Sequence, residues 1–480
     1  MPLSITFSDA PGSERIRDKE GSSGSAGVGL NIPAELREFF LIEEGQTLLI
    51  KGLPGTGKTT LAFEIMSDIC QKGNGMYIST RVNPKRIHAI YPWIKDVIPS
   101  NNVINATQAK LLHCLEGMDS GYESVLNFFK VFFEEAEEME EPMIVIDSWD
   151  AVLNYTAAVI GDGQHSFEQN ICEFARDLGI HLIFVSEFAS LMPLDYIVDG
   201  VVTMEQFQLN EGSTEGWTHG MRTRNAREIR LEKLRGVAIR QKSYTCTLHG
   251  GRFHYFEPYK ERQTARIGGD VVRIPDPSER MISTGIKDLD EIIGGLESGT
   301  TNVIEIDHGV GRRYYQILTA LASNALKNGR GVFILPSIGY TLSQRDIFVP
   351  TNVKTFQTFG DDLVEWGREM LAEWDALRER TGRPILNIIG MDAIEFAFGY
   401  KELLNLSNRM VSKWKETNDI NVLVVKTGQE IIKMAIHAAD TYLVVSELNG
   451  GLCLYGAIPR TELFNISTEG QNRIHLTPIV

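Results

Sequence analysis

Cysteine is scarce in this chain, with five among 480 residues, and the five form no CxxC pair. No histidine accompanies them at the spacing of a zinc site, so we predict neither disulfides nor structural zinc and expect reduced thiols, as in a cytosol. Long apolar runs are missing too. None reaches the about 18 residues that a membrane span requires, and the N-terminus lacks the apolar core of a signal peptide. The sequence therefore predicts a cytoplasmic protein with no membrane segment.

Positive charge is the other shortage. The chain has 47 Lys and Arg against 63 Asp and Glu, which gives a formal net charge of -16. A large sequence-independent DNA-binding surface requires the opposite balance, so nucleic acid is not an expected partner. The stretch 221–242 is an exception, with eight basic and two acidic residues. It is able to contact nucleic acid, phosphates or an acidic partner, but a subunit interface is the simpler interpretation.

The chain is rich in internal repetition. Apolar runs alternate with amphipathic helical stretches in the same order in both halves: TLLIKG, GMYIST, NNVINAT, MIVIDSWD and LIFVSE, then NVIEID, GVFILPS, TNVKTFQT, LNIIGMDA and VLVVKTG. Short β-branched strands alternating with helices predict an α/β fold with largely parallel sheets flanked by helices. Because the length excludes one ordinary core, we divide the chain into a flexible leader (1–28), a first domain (29–258), a linker (259–281) and a second domain (282–480).

A phosphate-binding loop is present in the first half. Residues 52–59, GLPGTGKT, satisfy the pattern GxxxxGK[ST] between an apolar strand and a helix. Its glycines allow backbone N–H groups to close around phosphate oxygens, Lys58 adds a charge between the β- and γ-phosphates, and the Thr59 hydroxyl is a ligand for Mg²⁺. The expected ATP-binding residues are Gly52, Leu53, Pro54, Gly55, Thr56, Gly57, Lys58, Thr59 and Thr60.

A carboxylate for the same metal is expected at Asp147, where the apolar strand MIVID ends. An acid at this position holds the water shell of the magnesium ion, which is the Walker B role. An isolated strand-end Asp is usually an ordinary turn cap, but the phosphate-binding loop earlier in the chain favours the metal role. We therefore predict ATP and Mg²⁺ as the cofactors of the first domain.

Further motifs follow in a fixed order: a strand ending in DS, a strand ending in SE, then VDGVV and LEKLRG. This order resembles the RecA superfamily and, more narrowly, its KaiC-like branch, which contains the two-domain clock ATPase and many archaeal relatives. STGIKDLDEIIGGLESG, which opens the second half, is similar to the domain start of that branch. IPAELREFF, YIST and YPWI resemble archaeal gas-vesicle regulators of the GvpD type. The resemblance implies two tandem RecA-like P-loop domains and a homo-oligomeric ring, such as a hexamer.

The resemblance also implies roles for three residues outside the loop. Lys233 and Arg235 of LEKLRG occupy positions that reach the nucleotide of a neighbouring subunit, where an arginine finger stabilises charge on the transferred phosphoryl group. Local pairing with acidic neighbours is the alternative for both. Glu187, which ends LIFVSE, would lie near the γ-phosphate as a sensor, and a solvated strand-end Glu is its alternative.

One departure from the KaiC-like pattern affects catalysis. Members of that branch carry paired glutamates after the second strand, where they polarise the attacking water, whereas this chain has Thr80 and Arg81. Arginine cannot accept the proton that a general base must take. Asp150 or Glu187 would have to substitute, so we expect a weak ATPase with slow hydrolysis, in the first domain only.

The second half retains the glycines of the loop without its reactive residues. Gly299, Gly309 and Gly311 align with Gly45, Gly55 and Gly57, while Arg312 faces Lys58 and Arg313 faces Thr59. Because Arg313 cannot ligate Mg²⁺ as threonine does, we predict a degenerate domain, a pseudo-ATPase kept for assembly or partner binding. Nucleotide binding by Arg312 without hydrolysis is the alternative.

Three more positions of the second half support the loss of catalysis. Ile306 replaces the first glycine of the loop, and the Walker B position falls on Gly390, or on Asp392 if the acid is displaced. Aligning LYGAIPR with LRGVAIR places Cys453 and Tyr455 opposite Lys233 and Arg235. The sequence thus predicts that loop, metal ligand and finger are absent together.

Three functions are compatible with these features. The first is a nucleotide-dependent switch on a protein partner, which the GvpD resemblance makes a transcription activator that the chain represses. The second is a RecA-type DNA-dependent ATPase, which requires basic DNA-binding loops and an N-terminal helical segment that this acidic chain does not show. The third is a clock-like autokinase. It requires a working second loop and is the weakest of the three.

Overall fold

The computed structural model describes residues 31–42, 45–81, 84–106, 122–160, 164–188, 190–210, 223–259, 272–338, 351–356, 362–469 and 473–480. The predicted leader and most of the predicted linker lie outside these residues. The described part of the chain from Asn31 onward is one compact unit that contains both sequence halves. None of its helices is both long and apolar enough to cross a lipid bilayer.

The first half builds a sheet of nine strands among the described residues. The strands are β1 (Thr47–Lys51), β2 (Gly75–Ser79), β3 (Val103–Asn105), β4 (Met143–Asp147), β5 (His181–Ser186), β6 (Gly200–Asn210), β7 (Thr223–Leu234), β8 (Ser243–Thr247) and β9 (His254–Tyr255). Their order is β3-β2-β4-β5-β1-β6-β7-β8-β9. All pairs from β3 to β6 are parallel, and β6 to β9 continue the sheet as antiparallel strands.

Helices cover both faces of this sheet. They are α1 (Ala34–Ile42), α2 (Lys58–Ile69), α3 (Pro84–Ile90), α4 (Tyr122–Glu137), α5 (Trp149–Ile160), α6 (Gln164–Asp177) and the single turn α7 (Leu194–Ile197). Leu48 of β1 packs into the core on one face together with Phe63 of α2, while the next residue, Leu49, packs on the other face with Trp149. A strand buried on both faces needs apolar residues at every position, which is why the run TLLI predicted it.

The second half repeats the architecture. A short ribbon comes first, β10 (Met281–Ile282) with β11 (Leu296–Glu297). In the part of this half that the structure describes, nine strands follow: β12 (Thr301–Ile306), β13 (Val332–Leu335), β14 (Val353–Thr355), β15 (Leu386–Gly390), β16 (Ile420–Lys426), β17 (Thr441–Leu448), β18 (Gly451–Ile458), β19 (Phe464–Glu469) and β20 (Arg473–Pro478). Their order, β14-β13-β15-β16-β12-β17-β18-β19-β20, is that of the first sheet. The helices are α8 (Lys287–Ile293), α9 (Tyr315–Lys327), α10 (Leu363–Thr381), α11 (Met391–Phe398), α12 (Tyr400–Thr417) and α13 (Ile432–Ala438).

The strand pairing confirms the predicted α/β fold of two repeated, largely parallel sheets flanked by helices. All ten apolar runs predicted as strands are strands. The registers also match: β1 pairs Leu48 with Gly200 of β6, and β12 pairs Asn302 with Thr441 of β17. Because β4, β5 and β1 are neighbours, their carboxyl ends meet at one sheet edge. That edge is where ligands bind in open parallel sheets.

The two halves meet along the antiparallel ends of both sheets. Ala226 of β7 packs with Cys453, Leu463 and Ile479 in a small apolar cluster. Thr245 donates a hydrogen bond to the Leu448 carbonyl (3.1 Å). The locally basic stretch 221–242 contributes Arg224, which donates to the carbonyl oxygens of Gly456 and Thr461. Arg224 thus contributes to an interface within the chain, and the prediction of a subunit interface for the rest of the stretch stays a prediction.

Candidate functional site

The phosphate-binding loop leaves the sheet at the end of β1 and leads into α2. Gly52, Gly55 and Gly57 have φ values of 151°, 83° and 103°. A side chain at Gly52 is excluded, because a Cβ atom there would lie 2.2 Å from the Met204 carbonyl oxygen on β6. The loop can therefore turn this tightly against the sheet only because its first residue is glycine.

Lys58 begins α2 and points back into the loop. Its ammonium donates to the carbonyl oxygens of Gly52 (2.7 Å) and Leu53 (2.9 Å), and the residue is only 7% exposed. Burial lowers the pKa of Lys58, while the nearby carboxylates of Glu187, Asp147 and Asp150 act in the opposite direction. The charge is thus placed inside the loop, as the β- and γ-phosphate role requires.

Asp147 lies at the carboxyl end of β4 and faces the start of α2. Its Oδ2 accepts from the Thr59 hydroxyl (2.6 Å) and from the Tyr77 hydroxyl on β2 (2.9 Å). Burial raises the pKa of Asp147, and these two hydrogen bonds oppose that rise because they stabilise the carboxylate. The peptide bond from Asp147 to Ser148 is cis.

The oxygen atoms at this point suit a nucleotide-bound magnesium ion. Mg²⁺ prefers a few protein oxygens and fills its other positions with water and phosphate, and the Thr59 hydroxyl and Asp147 carboxylate are such ligands. Among the described residues no group of three or more His, Cys, Asp or Glu forms a separate metal site. The donor set therefore fits magnesium held jointly with phosphates and not by the protein alone.

The two residues at the expected position of the catalytic glutamates are already engaged. Thr80 is buried; its hydroxyl donates to the Asp147 carbonyl (3.1 Å) and accepts from the Ser148 N–H (2.8 Å). Arg81 forms an ion pair with Glu187 (2.5 Å). Neither residue offers a proton acceptor to water, and Arg81 occupies the carboxylate that could replace the missing base.

Asp150, the other candidate base, has both carboxylate oxygens occupied. Oδ1 accepts from the Ser186 hydroxyl (2.8 Å), and Oδ2 accepts from the Glu187 N–H (2.6 Å). These contacts join the first turn of α5 to the end of β5, where Glu187 follows. Asp150 thus has a positioning role in this geometry, and Glu187 is the more accessible acid near Lys58.

The two predicted finger residues differ in how firmly they are held. Lys233 donates to the carbonyl oxygens of Asp195 (3.1 Å) and Val198 (2.5 Å), and burial lowers its pKa. Arg235 forms an ion pair with Asp199 (2.6 Å), yet its side chain is 60% exposed. Of the two, Arg235 is the one with access to a neighbouring molecule.

Sequence patterns did not indicate several residues at the site. Tyr77 lies within an apolar strand, and its hydroxyl is identified as an Asp147 partner only by the geometry. Lys51, the last residue of β1, forms a buried ion pair with Asp195 (2.5 Å). Arg227 of β7 donates to the Gly55 carbonyl (2.8 Å) from the opposite side of the loop. Each of these contacts joins residues far apart in the chain, so local patterns could not predict them.

The loop of the second half is closed by its own arginine. The guanidinium of Arg313 donates to the carbonyl oxygens of Gly309 (2.6 Å), Val310 (2.9 Å) and Gly450 (3.1 Å). Ile306 is still part of β12 and is buried, so the strand continues where Gly52 has already left the first sheet. This loop is fixed by side chain to backbone bonds and lacks the Thr59 equivalent.

Arg312, the Lys58 equivalent, faces a cavity of about 260 Å³ that His308, Tyr314 and Lys426 also line. In the second sheet β15 pairs Gly390 with Val424 of β16, just as β4 pairs Asp147 with Val185 of β5 in the first. Val424 is therefore equivalent to Val185, and Lys426, two residues later, is equivalent to Glu187. That register confirms Gly390 as the Walker B position. Asp392 is buried and bonded to Lys426 (2.8 Å) and the Ile338 N–H (3.0 Å), so it does not replace the missing ligand.

The predicted alignment of Cys453 and Tyr455 with the finger residues is wrong. Val201 of β6 pairs with Lys233, and the equivalent residue of β17, Tyr442, pairs with Ile458. Counting onward from Ile458 places Arg460 at the position of Arg235. The L-x-G pattern on which the alignment was based occurs at different strand registers in the two hairpins. The second half has therefore lost the metal ligands and the loop chemistry but retains an arginine at the finger position.

Comparison with known proteins agrees with this geometry. Residues 36–218 match the family described as GvpD gas vesicle protein, P-loop domain. The chain is also similar to Protein GvpD2 of Halobacterium salinarum, at 29% identity with 92% of this chain and 95% of that protein covered. The chain is thus similar to GvpD proteins along most of its length. Protein GvpD1 of the same organism is 26% identical, with 93% of this chain and 96% of that protein covered.

The GvpD match confirms one part of the predicted resemblance and leaves another open. The matched segment contains the phosphate-binding loop, Asp147 and Glu187, so the first half of the chain contains a P-loop domain, a type that binds nucleotides. The matched segment ends before Lys233 and Arg235. The KaiC-like relationship and the finger roles stay predictions.

We predict that Lys58→Ala removes nucleotide binding from the whole protein, because Lys58 is the only lysine of the two loops and the second loop is closed by Arg313. Arg312→Ala is the matched control, since it removes the equivalent cation of the other half. Isothermal titration with ATP and magnesium should give one site per chain for the wild type and for Arg312→Ala, and none for Lys58→Ala. Binding that survives Lys58→Ala and is lost in Arg312→Ala would show a functional second loop.

Proposed function

We propose that the protein is a nucleotide-dependent regulatory switch, which binds ATP with Mg²⁺ in its first half and presents a surface to a protein partner. By its family resemblance, the partner is a transcription activator of the gas-vesicle type, and the action is repression. ATP hydrolysis by the first half ends the bound state. The second half takes part in assembly or partner contact and not in catalysis.

One observation carries this proposal: the binding groups are complete while the water-activating groups are missing. Thr59 and Asp147 meet at 2.6 Å beside the loop. Where a base would act, Thr80 is bonded to backbone and Arg81 is bonded to Glu187. A protein that binds the nucleotide well and turns it over slowly stays in the bound state, which suits a switch better than a motor.

Slow turnover should depend on the ion pair of Arg81 with Glu187. We expect wild-type turnover well below the about 1–100 s⁻¹ typical of kinases. Arg81→Gln should raise it several-fold, because it releases the carboxylate nearest Lys58. Arg86→Gln, which removes an exposed arginine on α3, is the matched control. A phosphate-release assay measures all three rates.

Two results would contradict this account of turnover. A fast wild-type rate would show that a base already acts with Arg81 in place. An Arg81→Gln rate equal to that of Arg86→Gln would remove Glu187 as the substitute base. If Glu187 is the base, the double variant Arg81→Gln/Glu187→Gln should return to the wild-type rate or below.

A DNA-dependent ATPase is the second candidate, and the pairing of cations in the basic stretch 221–242 counts against it. Three of its described cations are engaged within the chain: Arg224 binds carbonyls of the second half, Arg230 pairs with Glu205 and Glu228, and Lys242 pairs with Glu232. Phosphate contacts need cations that can replace counterions. Together with the net charge of -16, these pairings favour a protein partner.

A titration with labelled DNA separates the two candidates. The regulator should leave the fluorescence anisotropy of single- and double-stranded DNA unchanged at low salt, with or without ATP and magnesium, up to micromolar protein. Saturable binding that requires ATP, and that stimulates phosphate release, would instead establish the DNA-dependent enzyme.

Assembly into a homo-oligomeric ring is the third part of the proposal. Arg235 directly follows β7, and its side chain is exposed. Its single described ion pair is with Asp199. An arginine that exchanges this partner for the nucleotide of a neighbouring subunit would complete that subunit's site. ATP between subunits then favours the assembled state by mass action, since a ligand stabilises the form that binds it.

Arg235→Ala should therefore reduce both ATP hydrolysis and ATP-dependent assembly, while the subunit binds ATP with nearly unchanged affinity. Arg240→Ala is the matched control, because its side chain is also 60% exposed and also paired with one acid, Glu38. Light scattering coupled to gel filtration, with and without a non-hydrolysable ATP analogue, reports the mass. A wild-type monomer under both conditions would remove the finger from the mechanism.

A further inference from the structure

The outer side of the phosphate-binding loop contacts a residue that the chemistry above does not use. Arg227 on β7 donates from Nη1 to the Gly55 carbonyl oxygen (2.8 Å) and from Nε to the Val480 carbonyl oxygen (2.7 Å). One guanidinium thus joins the loop of the first half to a residue of the second. Its N–H groups are fixed in one plane, so the two acceptors are held in one geometry relative to each other.

A second connection runs from the same segment to the other end of the loop. The Leu248 N–H donates to the Val480 carbonyl (3.3 Å), and the Leu248 side chain lies against Gly57, where an added Cβ would come within 2.8 Å of it. Thr247 fixes this segment, because its hydroxyl donates to the Pro478 carbonyl (2.8 Å) and accepts from the Val480 N–H (3.3 Å). The end of β20 is therefore tied to the loop at two places.

The contact at Gly55 has a direct consequence for phosphate binding. A peptide group is planar and trans, so the carbonyl of Gly55 and the N–H of Thr56 point in opposite directions. A donor that fixes the Gly55 carbonyl therefore also fixes the direction of the Thr56 N–H, which in this structure donates to the Leu53 carbonyl oxygen (3.4 Å). Loops of this type bind phosphate through convergent N–H groups, which makes their peptide orientations part of the binding site.

We propose that Arg227 is a positioning residue of the phosphate-binding loop, and that through Arg227 and Leu248 the segment Pro478–Val480 of the second half sets the nucleotide affinity of the first. The second half then acts on the ATP site without contacting the nucleotide. A partner that binds the second half and displaces this segment would change ATP affinity, and ATP would change the affinity for that partner by the same factor. This inference rests on the proposed function for the binding of ATP at the first loop.

Simple adhesion between the halves is the competing explanation, and Arg224 distinguishes it. Arg224 is on the same strand and also donates to carbonyls of the second half, those of Gly456 (2.8 Å) and Thr461, but the loop is not among its described contacts. Arg224→Gln therefore weakens the interface without changing the loop. Arg227→Gln removes the loop contact, and Arg227→Lys restores the charge with one donor group. Thr247→Val removes the hydroxyl bonds to Pro478 and Val480 and leaves the contact at Gly55 in place.

The test measures ATP affinity of the full chain by isothermal titration and the hydrogen exchange of residues 52–58 without nucleotide. Loss of a net hydrogen bond typically weakens binding about five- to tenfold. We expect a loss of that size for Arg227→Gln, a smaller loss for Arg227→Lys and Thr247→Val, and faster exchange of the loop in the variants that weaken binding. Arg224→Gln should bind ATP within about twofold of wild type. The double variant Arg227→Gln/Thr247→Val should lose more affinity than Arg227→Gln alone but less than the two single losses combined, because Thr247→Val acts on the Arg227 connection as well as on the separate Leu248 connection.

Several outcomes would overturn the inference. Equal affinities for wild type and Arg227→Gln would remove Arg227 as a positioning residue. Equal losses of ATP affinity in Arg224→Gln and Arg227→Gln would show that the Arg227 contact only holds the two halves together. If ATP affinity falls in Arg227→Gln but not in Thr247→Val, the segment Pro478–Val480 does not set that affinity. If the wild type binds no ATP, the proposed function fails. The positioning role is tested separately by hydrogen exchange: if residues 52–58 exchange at the same rate in Arg227→Gln as in the wild type, Arg227 does not position the loop.

Discussion

The hydrogen bond from the Thr59 hydroxyl to the Asp147 carboxylate is the contact on which the rest of the site depends. It joins the start of α2 to the end of β4, two elements 88 residues apart in the chain. The strands meet because β1 and β4 both pair with β5. Asp147 is partly buried, and a carboxylate withdrawn from water is costly unless it is hydrogen-bonded, so the hydroxyls of Thr59 and Tyr77 stabilise it there. Sheet register, loop and metal ligand are therefore specified together.

The second half shows the same frame without that contact. Gly390 stands at the end of β15 where Asp147 ends β4, and Arg313 stands where Thr59 would be. The strand order is unchanged, because buried apolar strands and their pairing determine it and the carboxylate does not. Arg313 instead closes the loop onto three carbonyl oxygens. The fold thus survives the loss of its chemistry, as expected when function lies in a site carried by a general framework.

The sequence predicted the strands, the loop and Asp147 because each is a local pattern: an apolar run, a glycine spacing, an acid at a strand end. It could not predict Tyr77 as a partner of Asp147 or Arg227 as a partner of Gly55, since those contacts depend on which strands become neighbours. The alignment of Tyr455 with Arg235 failed for the same reason. A short letter match carries no information about hairpin register, which strand pairing alone fixes.

The interface between the halves is a structural reason to retain a second half that lacks the Thr59 and Asp147 equivalents. Arg224 is 6% exposed, and its charge is stabilised there by carbonyls of the second half and by the ring of Tyr455, 4.4 Å away. Ala226 is fully buried by the same contact. Without the second half, apolar surface and the outer side of the phosphate-binding loop would both be exposed to water, at a cost in free energy. The contacts between the halves do not involve the nucleotide. The second half could therefore lose the equivalents of Thr59 and Asp147 while its strands were still needed to cover the first half.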